Sequence, residues 1–317
     1  MSDEALQSIP HVADVTIMRG NAAPSDAVAD LLLEMPHGAT READFDALVA
    51  ALRGTYPHNL RDFFFVNTDV GSGELGARLA ERVIEGDPRR TVMTIRSRIP
   101  RTFVDCNRIL NSTLSDASEA ASPSVSPSVT PGLPPYVHDD RDRVLLLARH
   151  AAYTDLVSDA MEHVCGSGGT ALMLHTYAPR SVDVEVDEHI VESLHAAYAS
   201  KTVATWPLRH EVDLITRDGD SRLLADPALL ACVRTAFAAL DIDPAENGTY
   251  YLHPATTAAV LAARYPGRTL CLEVRRDLLV PAFTPFAEMD VDRKQVDRFA
   301  GVLETALRTH RRDTPTY

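Results

Sequence analysis

The chain has 317 residues, of which 45% are hydrophobic, so it is long enough to bury the core of one large domain over residues 1–317. Its 31 basic and 45 acidic residues give a net charge of −14, which argues against nucleic acid as a partner because phosphate binding needs a basic surface. The N-terminal residues form no basic leader and no apolar run reaches the length of a membrane span, so we expect a cytoplasmic protein with no membrane partner.

Apolar runs in the first hundred residues predict strands that alternate with a helix. Residues 29–35 form a strand-like run that stops at a proline, and residues 63–67 contain three consecutive phenylalanines that we interpret as a second strand. Apolar side chains at i, i+4 spacing predict a helix over residues 75–83. The apolar, β-branched residues 91–95 predict the next strand.

The same alternation continues in the second half of the chain. A long amphipathic helix is predicted from about residue 140 to residue 165, where glycines end it. Residues 171–174 and 269–274 are predicted as buried strands, and residues 296–307 form a final helix with one apolar face. Continuously apolar strands between helices predict an α/β fold with a mixed, largely parallel central sheet and helices on both faces.

One segment interrupts this alternation. Residues 112–135 are rich in serine and proline and cannot form a helix or an inner strand. The segment is either a domain linker or a flexible loop over a site, and its position directly after a basic cluster favours the loop.

That basic cluster is the segment from Arg101 to Arg108, which follows the predicted strand at residues 91–95. Folding alone gives no reason to place Arg101, Asp105, Asn107 and Arg108 there. Two guanidinium groups and an amide on one short segment can bind a carboxylate through several hydrogen bonds. On an acidic chain, the segment therefore predicts a local basic pocket for an anionic ligand.

Two histidines follow predicted strands and point to a metal. In sheets of this kind ligands bind beyond the carboxyl ends of the strands, where His37 and His175 both fall. Imidazole is the commonest protein ligand of zinc, and a catalytic zinc needs three protein ligands and an open position. The third ligand stays open between Asp69, which follows the phenylalanine run, and Glu42. Asp69 has a second interpretation as a turn or N-cap residue for the next helix.

Glu273 is the most suggestive carboxylate in the sequence. It lies inside the apolar run at residues 269–274, where partial desolvation would raise its pKa toward the range of a general base. The structural alternative is an ion pair with Arg275, with Arg276 or with the basic cluster, and strand alternation puts Glu273 and Arg275 on the same face.

The order of these motifs resembles that of the N-formylglutamate amidohydrolase family and, more remotely, that of the zinc carboxypeptidase and aspartoacylase superfamily. The similarity spans roughly residues 30 to 280, and the Arg-x-x-x-Asp-x-Asn-Arg pattern of residues 101–108 is its most specific part. The resemblance implies a zinc-carboxypeptidase-like α/β fold and a Zn²⁺-dependent hydrolase that cleaves the amide of an N-acyl amino acid.

The resemblance also implies roles for the matching residues. Asn107 and Arg108 would hold the substrate carboxylate, and Arg101 would polarise the scissile carbonyl. Glu273 would be the general base, and Asp105 would brace the arginines.

For the metal, the resemblance implies His37, Asp69 and His175 as the ligands of Zn²⁺. Carboxypeptidases place a glutamate ligand three residues after the first histidine, and this chain has Thr40 at that position. Asp69 is therefore assigned from the order of the motifs.

The predicted activity is hydrolysis of a small-molecule N-formyl or N-acyl amino acid to the free amino acid and a carboxylic acid. Tyr177 is predicted as a further substrate contact, with Arg180 as another candidate. One alternative keeps the zinc but cleaves a small carboxylated peptide. Another is a domain that binds a carboxylate ligand without turnover.

Overall fold

A mixed seven-stranded sheet forms the centre of the computed structural model, which describes residues 6–110 and 130–313. The strands are β1 (Ala13–Arg19), β2 (Leu31–Met35), β3 (Thr91–Ser97), β4 (Thr170–Tyr177), β5 (Val212–Ile215), β6 (Ala245–Glu246) and β7 (Thr269–Arg275). Their spatial order is β1-β3-β2-β4-β7-β5-β6. Strands β3, β2, β4 and β7 run parallel, whereas β1 and β5 are antiparallel to their neighbours β3 and β7.

Helices cover both faces of this sheet. They are α1 (Glu42–Val49), α2 (Leu60–Asn67), α3 (Ser72–Gly86), α4 (Asp140–Val164), α5 (Ile190–Ala197), α6 (Ser200–Val203), α7 (Pro227–Phe237), α8 (Thr257–Arg264) and α9 (Arg293–Asp313). The core on one face includes side chains from α1, α2, α4, α5 and α8, and the core on the other includes α3, α7 and α9. Strand side chains alternate between the two, so that Leu32 faces the first core and Leu31 and Leu33 face the second.

The predicted fold class is confirmed, and so are the strands predicted at β2, β3, β4 and β7. The predicted strand at residues 63–67 is wrong, because these residues lie in helix α2. All three phenylalanines are buried, since α2 is packed into the core on several sides. A short apolar run of this kind cannot be told from a buried strand by its pattern alone.

Most of the Ser/Pro-rich segment at residues 112–135 lies outside the described residues, because residues 111–129 are not among them. None of the helices in the described ranges combines the length and apolar character that crossing a membrane requires.

The sheet brings the predicted site residues to one edge. His37 directly follows β2, the basic segment from Arg101 to Arg108 follows β3, and β4 and β7 carry His175 and Glu273 near their carboxyl ends. Because these four strands are parallel neighbours, their carboxyl ends lie side by side.

Asp142, in the first turn of α4, forms hydrogen bonds with the surface loop at residues 53–56. Its buried carboxylate accepts hydrogen bonds from the backbone N–H of Arg53 at 2.9 Å, from that of Gly54 at 2.8 Å and from the Tyr56 hydroxyl at 2.5 Å. Burial favours the neutral acid, but these donors outweigh it and lower the pKa of Asp142 below its ordinary value.

Replacing Asp142 by alanine should lower the free energy of unfolding by about 2–3 kcal/mol, because three donors lose hydrogen bonds to a charged acceptor. Since the pKa of Asp142 is lower in the folded state, its stabilisation is present above the unfolded-state value of about 3.9 and is lost as the pH falls below it. Denaturant unfolding at about pH 7 and about pH 3 measures both effects. The control is Asp140→Ala at an exposed position of the same turn, and an equal loss in the two variants would contradict the prediction.

Candidate functional site

His37 lies in a tight turn at the carboxyl end of β2. A Cβ atom at Gly38 would come within 2.5 Å of the Arg96 side chain, so glycine allows this close approach. The Gly38 carbonyl oxygen accepts a hydrogen bond from Arg96 Nε at 2.7 Å. The Pro-His-Gly sequence thus lets the end of β2 lie against β3, with His37 only 3% exposed.

Asp69 lies in the turn between α2 and α3, and two threonines hold this turn in place. The hydroxyls of Thr68 and Thr176 donate to the backbone carbonyl oxygens of residues 39 and 70, at 2.6 Å and 2.9 Å. The backbone N–H of Thr176 also donates to Asp69 Oδ2 at 3.2 Å. Because the N-cap of α3 is Gly71, Asp69 does not have the predicted capping role.

His37, Asp69 and His175 form a compact buried triad. His37 Nδ1 lies 3.3 Å from Asp69 Oδ2, His175 Nδ1 lies 3.1 Å from the same oxygen, and the two Nδ1 atoms are 3.2 Å apart. Zinc with tetrahedral ligands at about 2.0–2.1 Å places those ligand atoms about 3.3 Å from one another. The spacing of the three side chains therefore fits three corners of a zinc tetrahedron.

Asp105 connects this triad to the basic segment. One of its oxygens lies 2.7 Å from His37 Nε2 and accepts the backbone N–H of Asn107 at 2.8 Å, and the other accepts Arg101 Nη2 at 2.9 Å. Burial opposes its ionisation, but Arg101 and His37 hold the pKa of Asp105 well below its usual range. A carboxylate on the far nitrogen of a histidine fixes the ring and directs Nδ1 toward a metal. Asp105 thus orients His37 as well as bracing Arg101.

The charge on Asp69 is balanced from several directions. Burial would raise its pKa, but the imidazoles of His37 and His175 outweigh burial and hold the pKa of Asp69 below its usual range. Its second oxygen, Oδ1, faces Arg101 Nη1 at 3.8 Å and Arg276 Nη2 at 3.7 Å. The carboxylate is therefore ionised, as a metal ligand must be.

Glu273 lies directly beside His175, its register partner across β4 and β7. Its Oε2 atom is buried and has no hydrogen-bond partner among the described residues. Burial is the main reason that the pKa of Glu273 is raised to about 7; Asp69 adds to the shift and His175 opposes it. A buried polar atom without a partner costs free energy, so its presence beside the triad points to a functional role.

In the described part of the chain, Glu273 does not form the ion pair with Arg275 or Arg276 that was the alternative to a catalytic role. Arg275 Nε donates instead to Asp277 at 2.8 Å, and Arg276 Nη1 donates to the backbone carbonyl oxygen of Val66 at 2.7 Å. Both arginines are thus held by other groups, and Glu273 faces the triad without a salt bridge to them.

A cavity of about 240 Å³ adjoins the triad. It is lined by all of the predicted catalytic, substrate-binding and metal residues, namely His37, Asp69, Arg101, Asn107, Arg108, His175, Tyr177 and Glu273, and by Arg180. Glu42, the other candidate for the third ligand, is not part of this lining. It begins α1 and forms an ion pair with Arg61 near the surface.

Asn107 and Arg108 are held rigidly in the cavity wall. Asn107 Oδ1 accepts the backbone N–H of Ala258 at 3.0 Å, which leaves its amide nitrogen as the donor for a ligand. Arg108 Nε and Nη2 donate to the carbonyl oxygen and hydroxyl of Thr130, at 3.0 Å and 3.2 Å. These contacts fix the guanidinium in one orientation before any ligand binds.

Tyr177 and Arg180 contribute to the wall in a different way. The Tyr177 hydroxyl donates to the backbone carbonyl oxygen of His210 at 2.6 Å, so its ring rather than its hydroxyl is presented to the cavity. Arg180 Nη1 donates to the Trp206 carbonyl oxygen at 2.6 Å. The guanidinium of Arg209 lies over the Tyr177 ring at 5.0 Å from its centroid.

Several cavity residues were not found from the sequence. Arg276 was considered only as a partner for Glu273, although it is 3% exposed and lies against Asp69. Arg209 and Tyr250 form a hydrogen bond of 2.9 Å in the wall and gave no signal in the sequence. For residues 182–187 a signal was present in the sequence, because valine alternating with acidic residues is typical of a half-buried extended segment.

Comparisons with known proteins identify the fold. No family model and no curated protein matches the chain. The crystal structure of gene product Atu2144 from Agrobacterium tumefaciens is similar, with a TM-score of 0.51 and 17% identity over 98% of this chain and 97% of that one. The N-formylglutamate amidohydrolase from Ralstonia eutropha JMP134 is similar with a TM-score of 0.50 and 19% identity, over 95% of this chain and 99% of that one.

A metallo-carboxypeptidase from Burkholderia cenocepacia also matches, with a TM-score of 0.42 and 13% identity over 98% of this chain and 67% of that one. The two structures with the higher scores confirm, at the level of the fold, the resemblance predicted from the motifs.

The geometry of the triad predicts that the purified protein binds about one equivalent of Zn²⁺. Asp69→Ala should lower the zinc affinity at least about 100-fold, because it removes a charged ligand. Metal analysis and competition with a chromophoric chelator measure this. Glu42→Ala is the matched control and should keep the wild-type affinity. Zinc loss in Glu42→Ala with retention in Asp69→Ala would reverse the assignment of the third ligand.

Proposed function

We propose that this chain is a zinc-dependent amidohydrolase that cleaves the amide of an N-acyl amino acid and releases the free amino acid and a carboxylic acid. One observation carries the proposal: a His-Asp-His triad with zinc spacing, a guanidinium at Arg101, and the carboxylate of Glu273, whose Oε2 has no hydrogen-bond partner among the described residues, all face one cavity. Such a set could supply a metal site, a general base and an electrostatic stabiliser for one reaction.

The metal would be held by His37 Nδ1, Asp69 Oδ2 and His175 Nδ1, the atoms that form the compact triangle. When bound, Zn²⁺ supplies Lewis-acid chemistry, which polarises a carbonyl oxygen and makes a water molecule more acidic. Two imidazoles and one carboxylate are a donor set that zinc favours. The contact of Asp105 with His37 Nε2 supports Nδ1 as the atom that faces the metal.

Glu273 is proposed as the general base. Its carboxylate accepts a proton from the attacking water and passes that proton to the nitrogen of the leaving amine. Its position beside His175, where Oε2 has no hydrogen-bond partner in the described part of the chain, supports this role.

Arg101 is proposed to stabilise the negative charge that develops on the carbonyl oxygen. Asp105 holds one of its terminal nitrogens, so the guanidinium is oriented before the reaction begins. A preorganised donor of this kind typically contributes about 3–4 kcal/mol to the transition state.

Asn107 and Arg108 are proposed to bind the substrate carboxylate and so to fix the amide relative to the triad. Both line the cavity, and both are held by protein contacts that orient their remaining donors. The fold shared with an N-formylglutamate amidohydrolase supports an N-acyl amino acid as the substrate class by analogy.

Glu273→Gln should lower kcat by about 10²–10⁴-fold while zinc stays bound, because the amide keeps the shape of the side chain and cannot accept the proton. Steady-state kinetics on N-acyl amino acids and metal analysis of the same sample measure both quantities. Glu211→Gln changes an exposed glutamate and should leave kcat unchanged. Near wild-type activity in Glu273→Gln would remove Glu273 from the role of base.

Arg108→Ala should lower kcat/KM for N-acyl amino acids by about 10–100-fold, the usual effect of losing a charge-assisted hydrogen bond. The same variant should have a much smaller effect on the matching N-acyl amino acid amides, because these carry no carboxylate. The ratio of the two kcat/KM values cancels any general loss of active protein. An unchanged ratio would show that the carboxylate is bound elsewhere.

A further inference from the structure

One wall of the cavity beside the triad is apolar. It is built by α2, by α5 and by the segment at residues 181–187 that leads into α5, which are different elements from those that carry the basic residues. Its side chains are Phe63, Val66, Val182, Val184, Ile190 and Leu194. We refer to these six residues as the apolar wall.

The segment at residues 181–187 reads Ser-Val-Asp-Val-Glu-Val-Asp, and its alternation gives it two faces. In extended chain, successive side chains point in opposite directions. Val182, Val184 and Val186 are partly buried and line the cavity, whereas Asp183 and Glu185 are exposed. The segment therefore presents a row of valines to the cavity, while Glu185 stays in water and Asp183, although exposed, is also among the lining residues.

The cations near this wall are engaged by the protein itself. Arg209 donates to Ser181 Oγ at 3.1 Å and to the Tyr250 hydroxyl at 2.9 Å. Arg180 and Arg276 each donate to backbone carbonyl oxygens. On the basic side of the cavity, Asp105 orients Arg101, and the amide nitrogen of Asn107 is left as a donor because Asn107 Oδ1 accepts the backbone N–H of Ala258.

From this arrangement we infer that the acyl group of the substrate is an apolar chain longer than formyl and that it lies on the apolar wall. The inference rests on the proposed function. The proposed function places the amino-acid carboxylate at Asn107 and Arg108 and the amide carbonyl at the triad. The acyl substituent is then the part of the substrate that extends beyond the triad. A formyl group carries only hydrogen beyond its carbonyl carbon and cannot contact the six side chains of this wall.

The chemistry of the wall also argues against an acidic group at this end of the substrate. A second carboxylate placed on these six side chains would lose its water and find no hydrogen-bond donor among them, which is unfavourable. Apolar chains gain free energy on the same surface as they leave water.

The test uses zinc-loaded protein and a series of N-acyl-L-alanines with formyl, acetyl, butanoyl, hexanoyl and octanoyl groups. Alanine keeps the amino-acid side chain small, so only the acyl group varies. The value of kcat/KM should rise about threefold to fourfold per added methylene until the wall is covered. Calorimetric binding of the same series to Glu273→Gln protein should show the same trend in Kd without turnover.

Val184→Thr keeps the shape of the side chain but replaces one methyl group of the wall by a hydroxyl. It should lower the octanoyl-to-formyl ratio of kcat/KM by about fivefold or more. The matched control is Val144→Thr, which makes the same change at a position on α4 that is 68% exposed and should leave the ratio unchanged.

The outcomes separate the two proposals. Values of kcat/KM and Kd that do not improve with acyl length, or a preference for N-formyl amino acids with long or acidic side chains, would overturn the inference. Tighter binding with acyl length but no hydrolysis of any member of the series would support the apolar acyl site and overturn the proposed amidohydrolase activity. Length-dependent binding and hydrolysis together, both weakened by Val184→Thr, support the inference.

Discussion

The carboxylate of Asp69 is the group on which the arrangement of the site depends. One of its oxygens contacts the Nδ1 atoms of His37 and His175 and accepts the backbone N–H of Thr176. An isolated carboxylate at this depth would be very costly, so the fold surrounds it with imidazoles, a backbone donor and guanidinium groups. This one buried carboxylate thus connects the end of β2, the turn between α2 and α3, and the end of β4.

Asp105 extends this network from the candidate metal centre to the basic segment at residues 101–108. It contacts His37 on one side and Arg101 on the other, so a substitution of His37 would also change the surroundings of Arg101. Because these groups are buried and share hydrogen bonds, we expect their contributions to be coupled rather than additive. Arg101 and Arg108 thus place positive charge in one cavity of a chain whose net charge is −14.

The sequence revealed most of the site because parallel strands bring their carboxyl ends together. His37, His175 and Glu273 could be found from their positions at or near strand ends, and the basic segment from charges that folding does not explain. Asp69 was assigned from motif order, and the strand expected before it is the helix α2, since three buried phenylalanines satisfy either structure. The neighbours of a residue across the sheet depend on strand order, so the pairing of Glu273 with His175 could not be read from the chain.

We propose that His37, Asp69 and His175 hold one zinc ion beside the carboxylate of Glu273. The most direct measurement is a crystal structure of the zinc-loaded protein with anomalous data collected on both sides of the zinc absorption edge. We predict one strong anomalous peak about 2.0–2.1 Å from the Nδ1 atoms of both histidines and from Asp69 Oδ2, with Glu273 outside the ligand set. A peak elsewhere in the chain, or one bound through Glu273 or through the Nε2 atoms of these histidines, would contradict this account.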